Sequence, residues 1–120
     1  MLLWAYRCRF TIVEYVREDG SNPYQAWFDD LSAQAAAKVA TARARLEMGN
    51  TSAVKRIGVI GEYRIDWGPG YRIYLAKDGE DLVILLGGGI KRRQQADIQR
   101  AKILWTEYKA RKSASRSRRR

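Results

Sequence analysis

Between Glu62 and Arg93 the chain reads EYRIDWGPGYRIYLAKDGEDLVILLGGGIKRR and gathers residue types suited to handling an anion. Arg64 and Arg72 stand in two runs that alternate apolar and polar residues, with Asp66 and Tyr74 at matching parity. Lys91, Arg92 and Arg93 close a third run, after three glycines. A guanidinium is planar, permanently charged and able to donate to two oxygens at once. A carboxylate or amine with a shifted pKa can move a proton. The chain has no His, so acid–base work near neutral pH falls to Lys, Tyr, Asp, Glu or Cys. The same residues also fit a plainer reading, in which Asp66 and Arg72 form a cross-strand ion pair and Arg64 is a solvated surface group.

The elements that must position these groups form a strand meander. Gly68-Pro69-Gly70 reads as a three-residue connection. Pairing across it sets Trp67 opposite Tyr71, Asp66 opposite Arg72, Ile65 opposite Ile73 and Arg64 opposite Tyr74. Ile65, Trp67, Tyr71, Ile73 and Leu75 then share one face, and Arg64, Asp66, Arg72 and Tyr74 the other. Asp78-Gly79 is a two-residue hairpin turn, and the apolar run Leu82 to Leu86 suits a central strand. Upstream, Cys8 to Val16 alternates as a first strand. Asn22 caps a helix with Pro23 at its first position and Tyr24, Trp27, Phe28 and Leu31 at helical spacing. After a break near Ser32, a second helix carries Leu31, Ala35, Val39, Ala42 and Leu46 on one stripe and ends before Gly49. Gly49 to Gly61 reads as a glycine-punctuated loop bearing Lys55 and Arg56. Gln94 to Lys112 is a third helix, with Ile98, Ala101, Leu104, Trp105 and Tyr108 on its apolar side. The expected fold is α+β, in the order β-α-α-β-β-β-α: a small, mainly antiparallel sheet with a helical hairpin across one face, the arginine face left open, and a C-terminal helix. Gly87-Gly88-Gly89 lacks the spacing of a phosphate loop and reads as a flexible exit or a close backbone approach.

Length and composition set the frame. At 120 residues the chain makes one domain, expected over 1–108. Seven of the ten net positive charges lie in residues 109–120, a tail with no acid that reads as mobile and attractive to polyanions. The single Cys8 excludes an internal disulfide and reads as a packed small residue in a reducing compartment. Without His, and with one Cys and no clustered carboxylates, no metal or other cofactor is expected. No apolar run reaches bilayer length, and Met1-Leu2-Leu3-Trp4 is too short for a secretory segment, so a cytoplasmic protein without membrane contact is expected.

The element order and the string GEYRIDWGPGYRIYLAKDGEDLVILLGGGIKRRQQADIQRAK resemble the RelE/ParE toxin superfamily, and within it the HigB-like addiction module killer branch. The resemblance covers about residues 8–110. It implies a type II toxin–antitoxin toxin that cleaves mRNA on the ribosome and is neutralised by a cognate helix-turn-helix antitoxin, through which it oligomerises. Carried over by position, the strand-borne basic residues fall on Arg64 and Arg72, and the loop-borne one on Lys91 or Arg92. Lys55 matches a further basic position. Asp66 stands where RelE carries a second strand-borne cation, and Tyr108 is a weak match to its C-terminal tyrosine. In metal-free RNA cleavage Arg64 and Arg72 would carry the phosphorane charge, Asp66 would serve as base or orient Arg72, and Lys91 would serve as acid or as base. Lys55, Arg56, Tyr74, Arg92 and Arg93 would bind RNA, Tyr74 by stacking. A ParE-like toxin acting on DNA gyrase and a plain RNA-binding module are the alternatives.

Overall fold

The computed structural model describes residues 9–118. The meander forms the middle of a five-stranded sheet ordered β1-β5-β4-β3-β2. The strands are β1 (Thr11–Glu14), β2 (Val54–Ile57), β3 (Ile60–Ile65), β4 (Tyr71–Asp78) and β5 (Leu82–Ile90). β1 lies parallel to β5, and the other neighbours are antiparallel. The helices are α1 (Pro23–Asp29), α2 (Ala33–Glu47) and α3 (Gln94–Arg118), with a 3₁₀ turn over Lys91–Arg93 before α3. β2 corrects the expected loop: four residues, between the turn over 51–54 and the Gly58-Val59 turn, give too short an alternation to stand out from coil. Cys8, the first residue of the expected β1, lies outside the described residues, and the strand itself runs from Thr11 to Glu14.

Helix starts follow their caps. The Asn22 side chain accepts from the Gln25 amide at 3.0 Å, and the Ser32 hydroxyl from the Ala35 amide at 3.2 Å. α2 buries Ala35, Val39, Ala42 and Leu46 of the expected stripe, while Leu31 lies half-buried in the bend ahead of the helix.

The sheet is covered on both faces, and this corrects the open face expected from sequence. On one face Tyr24, Val39, Ala42 and Leu46 of the hairpin pack against Tyr63, Ile73, Leu75, Val83 and Leu85. On the other, Ile98, Ala101, Leu104 and Trp105 of α3 pack against Ile60, Tyr74, Ala76, Ile84 and Leu86. Burying each large side chain contributes about 1.5–3 kcal/mol. An uncovered second face would forfeit that for the aliphatic groups of β4 and β5 alike. α3 also runs past Tyr108 to Arg118 in place of a tail from residue 109. Arg111 donates to the Val16 carbonyl at 2.8 Å, and the Lys112 ammonium meets the Asp78 carboxylate at 2.7 Å.

The turn between β3 and β4 spans residues 66–70, so the pairing sits two residues from the expected register. Arg64 faces Arg72, Ile65 faces Tyr71 and Glu62 faces Tyr74. A slip of two keeps every side chain on its face. The face assignments for Arg64, Arg72 and Tyr74 therefore hold, while the Asp66–Arg72 pairing does not: Asp66 lies in the turn, exposed.

A bulge sets the glycine triplet. Tyr74 pairs with Gly87 but Leu75 with Leu85, which leaves Leu86 as the extra residue in β5. Beyond it Gly88 turns to the hairpin and Gly89 to α3. A Cβ on Gly88 would lie 2.3 Å from the Trp27 indole, and one on Gly89 would lie 2.0 Å from the Asp97 carboxylate. The glycines thus seat two side chains of the protein itself. Gly88→Ala should lower stability by about 1–3 kcal/mol, as overpacking does. Urea unfolding would read this as a lower midpoint at unchanged slope, and an unchanged midpoint would mean Trp27 is not held there.

Candidate functional site

Two rows cross the sheet on the α3 face. One runs Arg64–Arg72–Gly89, and the neighbouring one runs Lys55–Glu62–Tyr74–Gly87. Strands about 4.8 Å apart put the ends of the first row roughly 10 Å from each other.

Glu62 is the pivot of the second row. Its side chain is fully buried, and a buried carboxylate persists only with donors around it. Arg64 donates through Nε at 2.9 Å, the Tyr74 hydroxyl at 3.1 Å, and Gln94 Nε2 at 2.9 and 3.1 Å to its two oxygens. Burial, then the charge and hydrogen bond of Glu62, push the Tyr74 phenol upward, so it stays protonated as a donor. The carboxylate therefore joins β3, β4 and the first turn of α3. Sequence reasoning placed only Asp66 on this face, yet strand parity from Arg64 back to Glu62 carried the signal.

Arg72 is 5% exposed, and among the described residues its Nε is the buried side-chain nitrogen or oxygen left without a hydrogen-bond partner. Buried polar groups in folded chains are almost always paired, so this atom marks a place where an anion would be favoured. Arg64 keeps about a third of its side chain exposed while holding Glu62.

Asp97 is the second group that sequence reasoning missed, because only the packing of α3 against β5 brings it to the row. Its carboxyl rests on Gly89, the register neighbour of Arg72. Burial raises it above the ordinary carboxylate range, against the opposing pull of Arg93 and Arg100. It lines a cleft of about 450 Å³ between α1 and α3 whose floor is Gly87–Gly89 and whose walls include Trp27, Asp30, Arg93 and Arg100.

The other expected site residues divide. Lys91, Arg92 and Arg93 are exposed on the 3₁₀ turn; the Lys91 amide donates to the Gly70 carbonyl at 2.8 Å, which ties this turn to the β3–β4 connection. Lys55 is exposed on the edge strand, on the Glu62 face. Arg56 points to the opposite face, where its Nε donates to the Gly58 carbonyl at 3.3 Å, so it does not join the cluster. Tyr74 is 1% exposed beneath α3, so it offers no ring for stacking; that expectation is corrected. Tyr108 donates to Asp78 and stacks on Trp105. Asp78 is six residues along β4 from Arg72, or about 20 Å. Among the described residues no group of His, Cys, Asp and Glu could hold a metal ion, and no helix is long and apolar enough to cross a membrane.

Glu62→Ala should destabilise the fold by about 3–5 kcal/mol, because it leaves Arg64, Tyr74 and Gln94 facing a buried gap; chemical denaturation would test it. Asp97→Asn should act the other way. A carboxyl raised in the folded state binds protons more tightly there than in the unfolded chain, so its ionisation weakens the fold as pH rises through the folded value. The Asn variant should melt higher than the parent at neutral pH, with the difference vanishing below about pH 4. Equal melting temperatures at pH 7 would contradict the burial assigned to Asp97.

No family model matches the chain, and no solved structure matches it. A Haemophilus influenzae protein whose description reads "Uncharacterized protein" is 42% identical over 86 residues, spanning 70% of this chain and 87% of its own length. The chain belongs to the family of that Haemophilus protein.

Proposed function

We propose that this chain is the toxin of a type II toxin–antitoxin pair, a cytoplasmic endoribonuclease that cleaves mRNA on the ribosome without a metal and is held inactive by a helix-turn-helix antitoxin. The observation that carries the reading is the Arg64–Arg72 row: one arginine about a third exposed and one buried with an unpartnered Nε, on adjacent strands. The likeness of the meander to the RelE and HigB toxins supplies the substrate class.

In this reading the scissile phosphate lies over the row. Arg72 donates to a nonbridging oxygen, and Arg64 neutralises the second charge as the phosphorane forms. Donors fixed before the reaction need no reorganisation when the charge develops, so each is worth about 2–4 kcal/mol of barrier. Lys91 reaches in from the 3₁₀ turn and supplies a proton to the departing 5′-oxygen. Exposed Arg92, Arg93 and Lys55 attract the backbone on either side.

Arg72→Ala should abolish growth inhibition and transcript cleavage on induction, with a circular dichroism spectrum and melting profile of a folded protein. An induced Arg72→Ala chain that still cleaves transcripts would remove the site. Loss of plasmid supercoiling with intact transcripts would instead favour a gyrase poison.

A further inference from the structure

The role of base falls vacant once Asp66 is placed in the turn. We infer that Asp97 is the general base of this site, taking the proton from the ribose 2′-hydroxyl while Arg72 holds the adjacent phosphate. This inference rests on the nuclease reading above.

Three features of the geometry converge on Asp97. Its carboxyl lies directly on Gly89, in the row that contains Arg64 and Arg72, at the end where a sugar flanking the phosphate would sit. No ion pair closes between Asp97 and Arg72 among the described residues, so carboxylate and guanidinium remain separately available to one substrate. The carboxyl also faces an open cleft, with room for a ribose and its base between Trp27 and α3. Glu62, by contrast, has both oxygens occupied by donors and no exposure. It is a positioning group.

The charged and titratable neighbours of Asp97 are Arg93 and Arg100 on its own helix, Arg72 and the Tyr74 phenol on β4, and Asp30 across the cleft. Its raised affinity for protons makes it a stronger base than a surface carboxylate. The step balances internally. The 2′-oxygen forms a bond to phosphorus as its proton passes to the Asp97 carboxylate. The phosphorus–O5′ bond then breaks, and O5′ leaves with the Lys91 proton. The products are a 2′,3′-cyclic phosphate and a 5′-hydroxyl.

The test measures cleavage of mRNA on purified ribosomes by the full-length parent, Asp97→Asn and Asp97→Ala. For the parent, single-turnover rate should rise with pH through one acid limb; for Asp97→Asn it should fall by 10²–10⁴-fold, the usual worth of a positioned base, and lose that limb. Asp97→Ala should regain rate in sodium formate but not in sodium chloride of equal strength. A substrate with sulfur in place of the 5′-oxygen, which leaves without a proton, should rescue Lys91→Ala and leave Asp97→Asn slow. If the parent cleaves and Asp97→Asn cleaves equally with the same pH profile, the base assignment falls while the nuclease reading stands. Rescue of Asp97→Asn by the sulfur substrate would make Asp97 the acid and overturn the assignment. A parent that leaves mRNA intact under conditions where a known ribosome-dependent nuclease cuts would overturn the nuclease reading and the assignment with it.

Discussion

A carboxylate with no exposure to water has to be surrounded by donors, and the arginine face is built around meeting that requirement for Glu62. Arg64 comes from its own strand, Tyr74 from the next, and Gln94 from the first turn of α3. Because the three donors sit on separate elements, meeting the demand of one charge fixes where α3 begins relative to the sheet. That start determines that Asp97, one turn on, descends onto Gly89. Removing Glu62 would therefore disturb more than a hydrogen-bond network. It would remove the tie at the start of α3 and free Arg64 from its present direction.

The same arrangement keeps two arginines close together without full neutralisation. Arg64 shares its charge with Glu62, so the row as a whole carries less than two units of positive charge, while Arg72 closes no ion pair among the described residues. Burying a guanidinium costs several kcal/mol unless something compensates. That unoffset cost at Arg72 Nε is the observation on which the proposed phosphate contact rests. Coverage of the surrounding strands by α3 strengthens the effect, since charges interact more strongly away from water.

Much of this was legible in the sequence, for definite reasons. Helix starts at Asn22 and Ser32 are local chemistry, and the α2 stripe is a simple period. The face shared by Arg64, Arg72 and Tyr74 was also readable, because parity survives a slip of two residues. The register itself was not, since Gly68-Pro69-Gly70 suits a three-residue connection and a five-residue one equally. Neither was the bulge at Leu86, which no residue type announces and which decides the faces of Gly88 and Gly89. The apolar side of α3 does not name the surface it packs on, so the second covered face, and with it the burial of Tyr74, does not follow from sequence. The surroundings of Glu62 and Asp97 depend on where the fold brings them, through pairing across the sheet for Glu62 and through helix docking for Asp97.

The outermost strand has a bearing on how copies of the protein behave toward each other. β2 is four residues long and presents Lys55 on one side and Arg56 on the other. A free strand border is a template on which a second chain can stack its own backbone, and paired cations of equal sign on both flanks make such self-association electrostatically unfavourable. The outer rim of the sheet is thus guarded against self-pairing by cations on both of its flanks.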